Sequence, residues 1–234
     1  MDAGSSGPRK KGVLYVVATP IGNLEDVTLR ALRTLGEVEA IACEDTRQTA
    51  KLLARHGIRK RLISYFRPRE NQRLPEILRL LESGRDVALV SDAGTPGISD
   101  PGFPLVREAL RGGVHVVPIP GPCAATAALS AAGMPTHKFL FLGFPPPKTA
   151  ARRKFLAALA KEDATLVFYL PLRKLKEFLG DIRDTLGDRT MVIARELTKV
   201  HEEFIRGKVG EIQDGLTTRE LRGEATILVG GARK

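Results

Sequence analysis

The chain has 234 residues, 43% of them apolar and 27% charged, which excludes a wholly disordered or collagen-like chain and leaves room for one large domain or two smaller ones. No apolar run reaches the roughly 18 residues of a membrane-spanning helix, and the nearest, residues 114–135, is broken by Pro118, Pro120, Gly121 and Pro122. Lysine and arginine outnumber aspartate and glutamate by 37 to 27, a net charge of +10 that suits a polyanionic partner and carries no information about fold.

Residues 1–11 read as a flexible basic tail, because the apolar run after Arg9-Lys10-Lys11 is too short for a signal peptide. Residues 13–18 form an apolar strand. Residues 27–35 read as a helix anchored by Val27, Leu29, Leu32 and Leu35, and residues 38–43 as a strand. A helix over 46–56 closes at Gly57, a short strand covers 62–64, and a helix over 74–81 stops at Gly84. Strand 87–90, helix 101–110 and strand 114–117 follow. Strands and helices that alternate through short connections predict βα units and a largely parallel sheet.

Pro118-Ile119-Pro120-Gly121-Pro122 is too rigid to continue a strand or a helix and marks a boundary. Beyond it lie helix 123–132, strand 139–142, the stiff segment Gly143-Phe144-Pro145-Pro146-Pro147, helix 151–160, strand 165–169, helix 172–186, and strands 191–194 and 226–229. The predicted architecture is two α/β domains, residues 12–119 and 120–234. The two cysteines, Cys43 and Cys123, are too few for a disulfide scaffold, and their small apolar neighbourhoods predict two buried, reduced thiols in a cytoplasmic protein.

Three glycine- and proline-bearing loops each follow an apolar strand: Ala18-Thr19-Pro20-Ile21-Gly22-Asn23, Ser91-Asp92-Ala93-Gly94-Thr95-Pro96-Gly97, and residues 118–122. In parallel α/β sheets ligands bind outside the carboxyl ends of the strands, where glycine admits close backbone approach and proline fixes loop shape. A single such loop is only a tight turn; three in one domain outline a binding crevice. There is no G-x-G-x-x-G after the first strand and no G-x-x-x-x-G-K-[ST], so a dinucleotide fold and a P-loop nucleotidase are disfavoured. The four histidines are scattered and no Cys/His cluster has zinc spacing, so no metal is expected.

The charge is unevenly placed. Between Arg47 and Arg73 stand nine basic residues and a single acid, Glu70, a local balance of +8. Arg47, Lys51 and Arg55 recur at i, i+4 and i+8 and so share one helix face, with Arg59, Lys60 and Arg61 just beyond. This stripe begins at Glu44-Asp45-Thr46-Arg47, where Asp45 or Thr46 can cap the helix, and it leads a phosphate backbone towards the strand-end crevice. A second basic group, Arg152-Arg153-Lys154, reads as a solvated helix start. Aromatic residues make up only 5% of the chain, with no tryptophan, so no base-stacking platform is evident.

Taken together, the blocks 14–24, Glu44-Asp45-Thr46-Arg47, Ser91-Asp92-Ala93-Gly94-Thr95-Pro96 continuing to Ser99-Asp100-Pro101-Gly102, Pro120-Gly121-Pro122-Cys123-Ala124-Ala125 and Ala194-Arg195-Glu196-Leu197-Thr198-Lys199 resemble the ribosomal RNA small subunit methyltransferase I family within the tetrapyrrole methylase superfamily. The resemblance runs from about residue 12 to residue 230. It implies two α/β domains with S-adenosylmethionine bound in a cleft between them, usually a homodimer, and 2′-O-methylation of a cytidine in bacterial 16S rRNA. By position it implies cofactor contacts from Ile21, the Asp92-Ala93-Gly94-Thr95-Pro96 run, Cys123, Ala124, Leu170, Leu197 and Thr226. Two runs depart from the family pattern: Leu170-Pro171-Leu172-Arg173-Lys174, where the family often has Glu and then Ser-Pro-His-Arg, and Arg69-Glu70-Asn71, where it often has His-Asn-Glu.

Methyl transfer needs the 2′-oxygen in line with the sulfonium methyl, and a base assists because a ribose hydroxyl is a weak nucleophile. Asp45, Asp100 and Glu44 are the candidate bases, with Asp45 beside Arg47 ranked first and Arg47 or Lys199 as holder of the adjacent phosphate. Two alternatives stand beside this reading. One is a tetrapyrrole (precorrin-type) methyltransferase, whose small substrate needs no +8 segment. The other is a non-catalytic rRNA-binding assembly factor, which would not bind the cofactor.

Overall fold

The computed structural model describes residues 10–216, 221 and 223–232; the tail reading for residues 1–9 lies outside the described residues. The chain divides between Cys123 and Ala124 into two compact units. The first is a five-stranded sheet in the order β3-β2-β4-β1-β5, built from β1 (Val13–Val17), β2 (Ala40–Cys43), β3 (Arg61–Ser64), β4 (Val87–Val90) and β5 (His115–Ile119). Every pairing in it is parallel, as the βα alternation predicts. Helices α1 (Leu29–Glu37) and α2 (Thr46–Arg55) cover one face through Ala31, Leu35 and Leu53 packed on Val17, Ile41 and Val90. Helices α3 (Glu70–Glu82) and α4 (Phe103–Arg111) cover the other through Ile77, Leu81, Leu105 and Ala109 on Leu14, Ala42 and Leu89. β2 and β4 are buried along their whole length, as strands covered on both faces must be.

Several boundaries differ from the sequence reading for identifiable reasons. α1 starts two residues late because Thr28 caps it, its Oγ1 accepting the Ala31 N–H at 3.1 Å, while Val27 stays extended. α3 starts at Glu70, four residues before the expected start, so Pro75 lies in its second turn. β5 continues through Pro118 to Ile119, inside the segment taken as too rigid for a strand. It can do so because β5 is an edge strand, where a missing N–H breaks no ladder.

The second unit holds helix α5 (Ala124–Ala131), β6 (Phe139–Gly143), α6 (Thr149–Ala157), β7 (Thr165–Pro171), a 3-10 turn (Leu172–Lys174), α7 (Leu175–Leu186), β8 (Thr190–Arg195), β9 (Glu203–Lys208), α8 (Val209–Gly215) and β10 (Glu224–Val229). Its sheet runs β6-β7-β10-β8-β9. Here the expectation of a largely parallel sheet fails: only β6–β7 is parallel, and β7–β10, β10–β8 and β8–β9 are antiparallel. One face carries the core, with Phe178, Leu179 and Ile182 of α7 and Leu156 of α6 on Phe168, Leu170, Ile193 and Ile227. Fully burying one such side chain stabilises the fold by about 1.5–3 kcal/mol.

Arg152 is not the solvated residue the sequence suggests. Its side chain and that of Asp181 on α7 are each only 3% exposed, Nη2 to Oδ2 being 2.6 Å, and it also donates to the Pro147 carbonyl at 3.2 Å. It thus pins the proline-rich segment and α6 to α7. Among the described residues, no helix is long and apolar enough to cross a membrane.

Candidate functional site

In the first unit the parallel strands deliver their loops to one edge of the sheet. Thr19, after β1, forms an isolated bridge with Gly94, after β4, through two backbone hydrogen bonds of 2.9 and 3.0 Å. The buried Thr19 hydroxyl donates to the Ser91 carbonyl at 3.0 Å. Thr95 Oγ1 donates to the Pro122 carbonyl at 3.1 Å, which ties in the loop after β5. Gly94 is left-handed (φ 85°), and a Cβ there would stand 3.4 Å from the Ile21 side chain and 3.7 Å from the Pro122 carbonyl. The three loops therefore meet around Gly94, with Ile21 and Thr95 half-buried and Asp92 and Ala93 exposed beside it. Pro96 is buried behind them. Cys123 is partly exposed, whereas Cys43 is fully buried, so only one of the two thiols follows the sequence reading.

Asp92 links this cradle to the end of β2. Its Oδ1 accepts the Asp45 N–H at 2.9 Å. Asp45 is the N-cap of α2, and its carboxylate accepts the Arg47 N–H at 2.8 Å, Arg47 Nε at 3.1 Å and Arg47 Nη2 at 2.7 Å. These bonds hold the Asp45 carboxyl down to about 2. Glu44 moves the other way: burial first, then the charges of Asp100 and Asp92, push its carboxyl above the usual range, against the pull of Arg67.

The basic stripe lies where its spacing predicts. Arg47, Lys51 and Arg55 are exposed on α2, opposite buried Thr49, Leu52 and Leu53. Its members are not equivalent. Arg47 is paired with Asp45, and Arg61 shares Glu76 with Arg73 at 2.8 Å each. Among the described residues Lys51 reaches the neutral Gln48, at 3.5 Å, and Arg59 is exposed between α2 and β3 with Lys60 half-exposed beside it.

In the second unit, Thr226 is buried at the centre of β10, opposite Tyr169 and Ala194. Leu170 pairs with Ala225, one row over, so its side chain points to the opposite face and packs with Phe178 in the core. A ligand on the Thr226 face could meet Leu170 only through its backbone. Ala124 opens α5, and the next amide, Ala125 N–H, donates to the Tyr169 hydroxyl at 3.2 Å. Tyr169 is flanked edge-on by Phe141 and Phe144. Leu197 lies in the loop after β8 between two left-handed residues, Glu196 (φ 51°) and Thr198 (φ 65°). Among the described residues no group of three or more His, Cys, Asp or Glu side chains is placed to hold a metal ion.

Sequence reasoning missed Arg67 and Glu70. Arg67 Nη2 donates to the Ser99 carbonyl at 3.0 Å and Glu70 Oε1 accepts the Gly102 N–H at 3.1 Å. Glu70 sits in the run 69–71 that departs from the family pattern, and Arg67 two residues before it is one of the nine basic residues of the +8 segment.

Residues 13–213 match the model of the tetrapyrrole (corrin/porphyrin) methylases, and the chain belongs to this methyltransferase family. Solved structures agree on the fold: the methyltransferase CobJ superposes with a TM-score of 0.71 at 23% identity, covering 95% of this chain and 96% of that one. A cobalt precorrin-4 methyltransferase gives 0.68 at 20% identity over 93% and 94%. Curated relatives are far more similar in sequence. Proteins named Ribosomal RNA small subunit methyltransferase I are 47% identical in Thermotoga maritima (94% of this chain, 99% of the relative) and 48% in Pseudomonas aeruginosa (94% and 79%). The one from Bacillus subtilis is 44% identical (97% and 78%).

The family's methyl donor is S-adenosylmethionine. The cradle around Gly94 fits such a group on its own evidence. Gly94 holds a left-handed turn that a side chain would strain, a Cβ there would touch the Ile21 side chain and the Pro122 carbonyl, and Asp92 offers an exposed carboxylate to a ribose hydroxyl or an ammonium.

Proposed function

We propose that the protein methylates the ribose 2′-oxygen of a cytidine in 16S rRNA of the bacterial small ribosomal subunit, using S-adenosylmethionine. The observation that carries this reading is identity of 44–48% over at least 94% of the chain to relatives named for small-subunit rRNA. The solved tetrapyrrole enzymes are 20–24% identical and support the fold alone. The +8 segment adds a physical reason to favour a polyanion over a small tetrapyrrole.

When bound, S-adenosylmethionine supplies an electrophilic methyl group on sulfonium. The residues assigned to it in the first unit are Ile21, Asp92-Ala93-Gly94-Thr95-Pro96 and Cys123. In the second unit the family resemblance assigns Ala124, Leu197, Thr226 and the backbone of Leu170 to the donor. Arg47, Lys51, Arg55, Arg59, Lys60 and Arg61 hold phosphates and bring the target ribose to the end of β2. There Asp45, Asp100 or Glu44 takes the hydroxyl proton and Arg47 steadies the neighbouring phosphate. The active form is a homodimer in the cytoplasm.

The test is incubation with radiolabelled S-adenosylmethionine and small subunits that lack the modification, with the label mapped by nucleotide. Label on one cytidine 2′-oxygen is expected. Donor binding without label on subunits or free rRNA would direct the search to porphyrinoid acceptors. Failure to bind the donor would leave a non-catalytic rRNA-binding factor.

A further inference from the structure

The loop from Ser91 to Gly102 passes through the left-handed region four times, at Gly94, Gly97, Ser99 (φ 70°) and Gly102 (φ 147°). Glycine does this without a Cβ penalty, but serine does not, so a left-handed Ser99 persists only if its surroundings over-determine it. The two halves of the loop are held differently. The first half, through Thr95, is bonded to the loops after β1 and β5 by Thr19 and Pro122. In the second half, the Gly97 N–H donates to the Pro101 carbonyl at 3.2 Å, and two side chains from the segment leading into α3 reach in. Arg67 takes the Ser99 carbonyl, and Glu70 takes the Gly102 N–H at the start of α4. Glu70 lies near the fully buried Tyr65, whose hydroxyl is pushed up by burial first and then by the Glu70 charge.

We propose that Arg67 and Glu70 are positioning residues that clamp the 99–102 turn and thereby fix Asp100 relative to Glu44 and Asp92. The functional part of this inference rests on the methyl-transfer reading. Arg67 has a second effect through its charge. The groups facing Glu44 are Asp100 and Asp92 from the loop after β4, Asp45 beside it, and Arg67, which alone among them favours the ionised carboxylate. A loop that carried Asp100 without Arg67 would set three acids against Glu44 with no opposing cation among these groups.

The test combines amide hydrogen exchange of the cofactor-free protein with kinetics on unmodified small subunits, for Arg67→Ala, Glu70→Ala and the conservative Arg67→Lys and Glu70→Gln. Gln retains the oxygen that accepts the Gly102 N–H. Hydrogen bonds to charged groups are strong enough that the alanine variants are expected to speed exchange over residues 99–103 by about 10-fold or more. They are also expected to lower kcat by about 10-fold or more while donor affinity changes by less than about 3-fold, and the conservative variants are expected to recover most of both. Arg67→Ala also removes the cation facing Glu44, so with Glu44 as the proton acceptor the acid limb of the pH–rate profile moves to higher pH, which a purely structural role would not produce. Arg67→Gln, uncharged with an intact stem, carries the same pH expectation if the alanine variant does not fold. Unchanged exchange in both alanine variants overturns the clamp. Faster exchange with kcat within about 2-fold of the parent overturns its functional role. If the parent protein itself transfers no methyl group to rRNA, the methyl-transfer reading falls, while the exchange result still decides whether the clamp exists.

Discussion

Asp45 illustrates how one side chain can be over-committed before any substrate arrives. It caps α2, pairs with Arg47, and is held down to about 2 by these bonds. A carboxyl depressed this far has little drive to accept a proton from a hydroxyl, whereas Glu44, raised by burial and by Asp100, is better matched to that task. The depressed value also sets a stability window: the Asp45 contribution is present above its ordinary value of 3.8 and is lost as pH falls through about 2. Asn caps a helix as well as Asp does, so Asp45→Asn removes the charge and leaves the cap. If Asp45 carries the chemistry, this variant loses about 100-fold or more in methyl transfer with donor binding and melting temperature nearly unchanged. Normal turnover with intact donor binding would instead move the role to Asp100 or Glu44. The thiols give a simpler check. Burial pushes Cys43 up to about 11, while Cys123 is partly exposed. A thiol reagent at mild alkaline pH is therefore expected to titrate one cysteine in the native protein and two after denaturation. The difference between the two sites was invisible in sequence, where both cysteines sit among small apolar residues.

At the scale of elements, the buried Arg152–Asp181 pair makes a sharp prediction. Removing one member of a buried ion pair strands the other charge, which typically costs about 3–5 kcal/mol. Arg153 also reaches Asp181, Nε to Oδ1 at 2.5 Å, and it softens the loss. Arg152→Leu is therefore expected to destabilise by about 2–4 kcal/mol in denaturant titration, and Asp181→Leu in the same chain to recover part of it, because two apolar residues can replace a buried pair. An additive double variant would show that the two side chains do not act as a pair. The sequence misled here because three consecutive basic residues look solvated, and only the fold brings Asp181 across from α7. The same limit explains the other errors. β9 has Glu, Arg and Lys on a half-exposed edge and lacks apolar alternation, and α8 is seven residues long with two glycines, too short for a helical period to show. The buried parallel strands and their three loops were legible because burial on both faces leaves continuous apolar runs and because glycine and proline mark their ends. The second sheet was not legible as mixed. Strand direction depends on which strands pair, and nothing in residues 191–229 states that β10 lies between β7 and β8.

For the whole molecule, the informative quantity is where the +10 is left uncompensated. Charge counting gave +8 to one segment, but it could not show that Arg47 is spent on Asp45 or that Arg61 and Arg73 converge on Glu76. Coulomb attraction to RNA falls when a cation already has a carboxylate within hydrogen-bond distance, since binding a phosphate must then displace it. The phosphate contacts should accordingly be carried by Lys51, Arg55, Arg59 and Lys60 more than by Arg61. Each phosphate neutralised contributes about 0.7–0.9 to the slope of log affinity against log salt. Replacing Lys51, Arg55, Arg59 and Lys60 together with Gln is therefore expected to flatten that slope by about 3, measured with a 16S rRNA fragment by fluorescence anisotropy between about 50 and about 200 mM salt. Replacing Arg61 and Arg73 is expected to change it by less than about 1, although the same counting rule applied to sequence alone would assign it about 2. Equal changes per residue in the two variants would mean that Glu76 yields its partners freely and that the stripe acts as a diffuse field. A slope unmoved by the fourfold variant would place the RNA on another surface of the protein.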